Sequence, residues 1–551
     1  MTGAAPARFD LLTQPWISVR YVDGRTADVS IQTAFEDAGE IRDIVGELPT
    51  QTFAILRLLL AILYRASYDD ERQGWNAREW AEWWADGIPL DLITSYLTHF
   101  QARFDLLHPE RPFFQVADLR TGKDEVKDTT PLILDLPSNN RLFTNRSGTE
   151  SLRLSLAEAA RWLVSAQAFD PSGIKSGAVG DTRVKGGKGY PIGVAWSGHL
   201  GGIIVEGTTL HETLLLNLAL PGELVIGDGR TDLPPWEDAD PDTAAERQGL
   251  VPTGPVRLFT WQSRRTRLVA DGDVVTGCVL ANGDALTPQN QQHHEPMTAW
   301  RYSEPQTKKF GRPTYMPREH LPERAFWRGI GGLLPGAPRS QTTDGQQRYL
   351  SPAVLSFLGE RVEVGDLDAS YALRVRAIGV IYGSQSSVVA DVVDDRLAMT
   401  VALFRGQNAP LAAAAETAVV LADEGVRALR NLAENLARAA GGDGEADRAR
   451  ADEAAYARLD GLYRGWLTGL GPSSDPEPAI AEWRMTAHAA IRALGAELVA
   501  SAGPAAWSGR KVTGRAGTEF INTPRAESWF LRALHKTFVG ATAAEEKESA
   551  A

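Results

Sequence analysis

From about residue 406 the apolar residues of this chain recur at steps of three and four, and that period restricts the C-terminal part to packed helices. Tyr456, Leu459, Tyr463, Trp466 and Leu470 draw one stripe, and Ile480, Trp483, Ala487, Ile491, Leu494 and Leu498 draw a second. Val426, Leu429, Ala433 and Leu436 make a third; Ala526, Phe530, Leu534 and Phe538 make a fourth. An apolar stripe must be buried against another element, so four of them imply helices packed on one another. Glycine- and proline-rich breaks at 441–444 and 471–476 and the longer link 502–523 separate them. Asp475 before Pro476 and Thr523 before Pro524 mark two helix starts. The reading is a four-helix bundle over 406–540. The tail 541–551 has no apolar pattern and is expected to be disordered.

The preceding residues have a different texture. Short β-rich runs such as Thr13–Tyr21 and Leu373–Tyr382 alternate with helical stretches at 50–66 and 153–168 and with many glycine and proline breaks. The fold class is therefore α+β: a large, irregular mixed α/β domain over 1–405, with a subdomain break in the acidic segment 221–250, then the bundle. A chain of 551 residues exceeds what one core supports, in agreement with two or more domains. The longest apolar run, Phe53–Tyr64, is too short to cross a bilayer and contains Arg57, so it reads as a buried helix. The N-terminal residues contain no apolar segment of the signal-peptide kind, and a cytoplasmic location is expected. The single cysteine, Cys278, excludes an internal disulfide and a cysteine-cluster zinc site.

A net charge of −13 is not that of a freestanding DNA-binding protein. The charge is uneven, however. Segment 221–250 holds eight acidic and two basic residues, 141–190 holds four and eight, and 301–330 holds three and seven. Arg257, Arg264, Arg265 and Arg267 have no acid among their immediate neighbours. Basic patches on an acidic body suit a protein that touches nucleic acid while its partners supply most of the affinity.

Catalytic motifs are sought and not found. Val184-Lys-Gly-Gly-Lys-Gly189 lacks the first glycine of a phosphate-binding loop, and Lys188 is followed by glycine where Ser or Thr is required. His293-His294-Glu295 lacks a helical His-x-x-x-His or a second acidic cluster and reads as a surface loop. No Gly-x-Ser-x-Gly elbow occurs, and Cys278 lies in a strand-like context that suggests core. No enzyme activity, metal or cofactor is expected.

Seven segments in collinear order resemble the large subunit of the type I-E CRISPR Cascade complex, the CasA family. They are Phe9-Asp-Leu-Leu-Thr-Gln-Pro-Trp-Ile-Ser-Val-Arg20, His108-Pro-Glu-Arg-Pro-Phe-Phe-Gln115, Asn140-Arg-Leu-Phe-Thr-Asn145, Ser172-Gly-Ile-Lys-Ser-Gly177, Thr213-Leu-Leu-Leu-Asn-Leu218, Phe259-Thr-Trp-Gln262 and Tyr382-Gly-Ser-Gln-Ser-Ser387. The resemblance implies a non-catalytic subunit that recognises the protospacer-adjacent motif (PAM) in double-stranded DNA and starts strand separation and R-loop formation. Guide pairing then reads the target. It also implies, as partners, the other Cascade subunits, the CRISPR RNA, the target duplex and the helicase–nuclease that cuts. A scaffold subunit without direct DNA contact is the alternative.

By the same resemblance Gln385, flanked by Ser384 and Ser386, falls on the family's wedge, which splits the first base pair under the motif. Ser172 and Gly173 fall on its glycine loop, whose backbone approaches the minor groove, with Lys175 beside them to pair a phosphate. Phe143 and Asn145 fall on its mobile loop. The family's lysine finger aligns between Gln289 and Met297, where this chain has no lysine; Lys308 and Lys309, or one of His293 and His294, take its place. Arg510 and Lys511, in the glycine-rich link before the last helix, are expected to hold the displaced strand or to serve nuclease recruitment.

Overall fold

The computed structural model describes residues 8–68, 76–136, 152–220, 225, 227, 229–240, 242–335, 345–514 and 517–540. Phe143 and Asn145, Arg515 and the tail 541–551 lie outside them. The chain divides into two compact units, one of Met1–Phe326, Ser340–Asp368 and Leu373–Arg396, the other of Trp327–Arg339, Ala369–Ala372 and Leu397–Ala551. The first unit mixes helices with small sheets and the second is mainly helical. Among the described residues no helix is long and apolar enough to cross a membrane.

The first unit is built round the helix Pro49–Ala66, which is buried from Thr50 to Tyr64. A helix apolar on all sides must be enclosed, and here Leu156–Phe169 and Pro255–Phe259 pack on it. Arg57 is carried inside with its partner. Its guanidinium makes a two-pronged pair with Glu295 at 2.8 and 2.7 Å and lies 4.2 Å over the Phe259 ring. Glu295 also accepts from the Trp196 indole at 2.8 Å and from the Met297 N–H at 3.2 Å. The surface-loop reading therefore holds for His293, which is exposed, and fails for Glu295, which is wholly buried. The reason is physical: a buried arginine requires a carboxylate, and this one arrives from 238 positions away.

The same correction applies to the arginine stretch. Arg257, Arg264 and Arg265 are buried and paired with Asp238, Asp170 and Asp284. They form no basic surface. Acids of the segment 221–250 are consumed in the same way, and the segment lies inside the first unit. Glu237 holds Arg65 with two bonds of 2.7 Å, and Asp238 holds Arg247 at 2.6 Å. Asp232 accepts the backbone N–H groups of Val256 and Arg257, and burial pushes its carboxyl up to about 6.

Three sheets position the exposed loops of this unit. Ile17–Tyr21 lies between Thr26–Val29 and Ile41–Ile44. The first β-rich run is thus a strand only from Ile17. Before it, the Trp16 indole donates to Leu11 O at 3.0 Å within a turn, and Pro15 has no N–H to offer a ladder. Val274–Asn282 lies between Leu154–Ser155 and Arg264–Asp271. Cys278 is buried in that central strand, and burial pushes its thiol up to about 12. Ala372–Tyr382 lies between Gly202–Glu206 and Val389–Thr400, and Ala372–Tyr382 is joined to Val389–Thr400 by only six residues, hence a hairpin.

In the second unit the long helices are Ala409–Ala440, Glu445–Gly469, Pro476–Ala500 and Thr523–Phe538. The first packs on the other three, and the third packs on the second and fourth. Their buried residues follow the stripes read from the sequence: Val426, Leu429, Leu459, Tyr463, Trp483, Ile491, Phe530 and Leu534 all face inward. Buried aromatics still satisfy their polar atoms: the Tyr463 hydroxyl donates to Ala415 O at 2.9 Å and the Trp483 indole to Ala418 O at 2.8 Å. Asp475 caps its helix as expected, by accepting from Glu477 N–H. The last helix is capped by Asn522, which accepts from Arg525 N–H, and Thr523 is already its first residue.

Removing one partner of the buried pair in the first unit leaves a charge without compensation. Arg57→Met should therefore cost about 3–5 kcal/mol in chemical denaturation. Arg57→Met with Glu295→Gln should recover much of that loss, because the neutral amide oxygen still accepts from the Trp196 indole or the Met297 N–H; an equal loss in both would show that the uncompensated charge is not the cause.

Candidate nucleic-acid interface

The helix Leu156–Phe169 begins with a capping box, in which Ser155 Oγ accepts from Glu158 N–H and the Glu158 carboxylate accepts from Ser155 N–H at 2.9 Å. It ends at Phe169 because Pro171 cannot continue it. The glycine segment beyond it is held at its base by one arginine. Arg264 Nε bonds the Asp170 carboxylate, and its Nη2 reaches the carbonyls of Asp170, Pro171 and Gly193 at 3.2, 3.1 and 2.9 Å. Ser172 is buried and Gly173 half-buried on this base, while Ile174 is exposed.

Lys175 does not face solvent. Its ammonium sits 2.6 Å from the Asp170 carboxylate with 11% of the side chain exposed, and burial pulls it below the ordinary lysine range. The expectation that it pairs a phosphate is corrected: Asp170 already occupies it. The segment's exposed cations lie further on. Lys175–Ser176 pairs with Lys188–Gly189, and Lys185 and Lys188 exchange both backbone bonds across Gly186 and Gly187. Both glycines have positive φ (59° and 73°), as a two-residue hairpin turn requires. The stretch that resembled a phosphate-binding loop is thus a hairpin tip that presents Lys185 and Lys188 to solvent. The paired glycines were the sequence signal for it.

The second loop is the turn between Tyr382 and Val389. Gly383 N–H bonds Val388 O, Ser386 N–H bonds Gly383 O, and Ser387 N–H bonds Ser384 O, so the turn is closed on itself. Gln385 and Ser386 are both left-handed, with φ of 54° and 53°, a conformation that costs a non-glycine residue about 1 kcal/mol or more. Ser384 and Gln385 are exposed and Ser386 is half-buried. Among the described residues the Gln385 amide has no hydrogen-bond partner.

The structure brings these two loops together. The Tyr382 hydroxyl donates to Phe169 O, the last carbonyl of the helix, at 2.7 Å. A side chain on Gly198 would collide with that hydroxyl, so the glycine keeps the path open. Beyond it, a Cβ on Gly173 would lie 3.9 Å from Ser387 O. The remaining candidates do not join them in any shown contact. Lys308 sits in the last turn of the helix Glu304–Phe310, paired with Glu304 at 2.7 Å in water, and Lys309 lies 5.3 Å from the Phe310 ring centroid. His294 contacts Gln291. Among the described residues no group of three His, Cys, Asp or Glu side chains is placed to hold a metal.

Arg510 and Lys511 belong to the second unit. The glycine-rich link before the last helix contains a short helix, Pro504–Ser508, and a hairpin of Arg510–Gly514 with Gly517–Ile521. Arg510 is committed to the fold: it donates to Ala439 O at 3.2 Å and Ala440 O at 2.7 Å, the last carbonyls of the helix Ala409–Ala440. Lys511 is exposed.

The sequence model of the CRISPR-associated protein Cse1 family matches residues 10–494. The chain belongs to that family. Its fold is similar to the crystal structure of Thermobifida fusca Cse1, with a TM-score of 0.88 and 45% identity over 98% of this chain and 99% of that one. It is 32% identical over 333 residues to a CRISPR-associated protein CasA/Cse1 of Thermus thermophilus; the match spans 60% of each chain. At 20% identity, a chain of a solved CRISPR RNA-guided surveillance complex shares the fold (TM-score 0.68, covering 97% of this chain and all of that one).

Two measurements test this geometry. Tyr382→Phe should lower stability by about 1–3 kcal/mol, because the Phe169 carbonyl loses its partner, and should speed amide exchange in both loops but not in the C-terminal helices. Arg510→Ala should cost about 1 kcal/mol, read as earlier thermal melting, by uncapping a helix C-terminus.

Proposed function

We propose that this chain is the large subunit of an RNA-guided CRISPR interference complex, non-catalytic, recognising the PAM in double-stranded DNA and starting its opening. The observation that carries the reading is the juxtaposition of the Gly173 loop and the Gln385 turn through the Tyr382–Phe169 bond. A closed, left-handed turn offers a free planar amide that can enter a base step, and unstacking one step costs a few kcal/mol. Beside it, a glycine loop without bulky side chains can lie in a minor groove, whose degenerate pattern needs few contacts. Ser384 and Ser386 flank the amide, and Ser172 lies buried at the base of the loop. We assign the phosphate contacts of this face to Lys185 and Lys188 in place of Lys175. Lys308 and Lys309 replace the family's lysine finger in this reading, and Phe143 and Asn145 belong to its mobile loop. We read residues 1–405 as the DNA-facing domain and 406–540 as a four-helix bundle, from which Lys511 serves the displaced strand or the helicase–nuclease. The other Cascade subunits, the CRISPR RNA and the target duplex are the partners, in the cytoplasm.

Membership of a CRISPR-associated family and an acidic body with local exposed cations support this reading over that of a scaffold. Gln385→Ala, in the assembled complex, should weaken binding of a linear duplex about tenfold or more and leave a pre-unwound target bound nearly normally. Equal loss on both substrates would make Gln385 a general contact, and no loss on either would favour the scaffold.

A further inference from the structure

Away from the two loops, the first unit contains a cavity of about 300 Å³ into which five arginines converge: Arg20, Arg42, Arg374, Arg376 and Arg396. They come from separate elements. Arg20 lies on the strand Ile17–Tyr21 and Arg42 on Ile41–Ile44, while Arg374 and Arg376 alternate along Ala372–Tyr382 and so share one face. Arg396 comes from the adjoining strand of that hairpin. Two sheets thus contribute guanidinium groups to one cavity.

The cavity's own acids do not balance them. Asp43 and Glu206 line it, and Asp394 stands at its edge, holding Arg376 with bonds of 2.6 and 2.8 Å. Arg20 pairs with Asp43 at 2.5 and 3.2 Å, and Arg396 with Glu206 at 3.1 and 3.2 Å. Arg374 donates to the carbonyl of Gly207, which carries no charge. Arg42 is exposed and, among the described residues, makes no hydrogen bond or ion pair. Five positive charges against three negative leave a surplus of two. The ion pairs preorganise the guanidinium groups, and the surplus marks what is missing.

We propose that this cavity binds a phosphate group. A lone carboxylate is satisfied by one guanidinium fork; convergent forks with two uncompensated charges match the charge and the several oxygens of a phosphate. The cavity is at the small end of the range of ligand sites, suited to a phosphate with little else attached. It stands apart from the Gln385 turn: Arg376 precedes Gly383 by seven residues on one strand, about 23 Å of extended chain. The site therefore stands whether or not the turn acts as a wedge. The phosphate has two possible sources, a free anion or a phosphodiester of a nucleic-acid strand.

Titration calorimetry of the full chain at low salt, with inorganic phosphate and separately with a short single-stranded oligonucleotide, tests the site. Phosphate should bind saturably, and Arg42→Ala, which disturbs no pair in the fold, should weaken it about tenfold. Arg374→Ala, checked for folding by circular dichroism, should do the same, and Gln385→Ala should change nothing here. Competition of phosphate with the oligonucleotide, lost in Arg42→Ala, would assign the phosphodiester as the source; phosphate binding without competition would assign the free anion. Absence of saturable phosphate binding, or binding indifferent to both arginine substitutions, would overturn the proposal. So would capture of a glutamate-rich peptide with no affinity for phosphate, since the cavity would then be a protein-docking site.

Discussion

Arg264 leaves its strand and closes on the Asp170 carboxylate, on Ser263 O and on the carbonyls of Asp170, Pro171 and Gly193. The candidate interface depends on this group. A guanidinium presents its donors in a rigid plane, so one side chain can satisfy a carboxylate and several loop carbonyls at once, and an ammonium in its place would satisfy far fewer. Asp170 in turn binds Lys175, and the preceding carbonyl accepts from Tyr382. The glycine loop and the Gln385 turn are thus referred to one buried centre, although some two hundred residues separate them in the chain.

This economy recurs through the first unit. Arg57 with Glu295 and Arg265 with Asp284 are buried pairs, 238 and 19 residues apart in the chain, and buried Arg257 meets the half-buried Asp238 in the same way. Each would be costly alone in a low-dielectric interior, and each is made tolerable by geometry and by further hydrogen bonds. The arginine cavity departs from that rule: there the pairs are incomplete and water has access. A surplus of cations is stable only where solvent or a ligand can compensate it, which is why incompleteness at that place carries information and completeness at Arg264 does not.

The two units use different means. The helical unit is held by periodic apolar stripes, in which the polar atoms of Tyr463, Trp466 and Trp483 end on helix carbonyls. The first unit, with short strands and many turns, relies on charged pins between loops. Loops stabilised in this way can present strained residues such as Gln385 and Ser386, because the hairpin beneath them over-determines their backbone.

What the sequence determined by itself was whatever depends on near neighbours. The four helical stripes, the helix over 50–66, the break at Pro476 and the collinear segments of the Cse1 family were all legible, since periodicity, capping and turn chemistry act over a few residues. The charge pattern was legible only as composition. Arg257, Arg264 and Arg265 looked like a basic patch, and Lys175 like a phosphate contact, because their carboxylates lie outside the local pattern, 19 to 94 residues away for the arginines and, for Lys175, five residues back across a turn. Glu295 looked like a surface acid for the same reason. Electrostatic pairing in a low-dielectric interior acts through space, and no local pattern encodes which distant acid will meet which base. Tertiary structure alone therefore decided which cations are spent inside the protein and which, such as Lys185, Lys188 and Arg42, are left exposed.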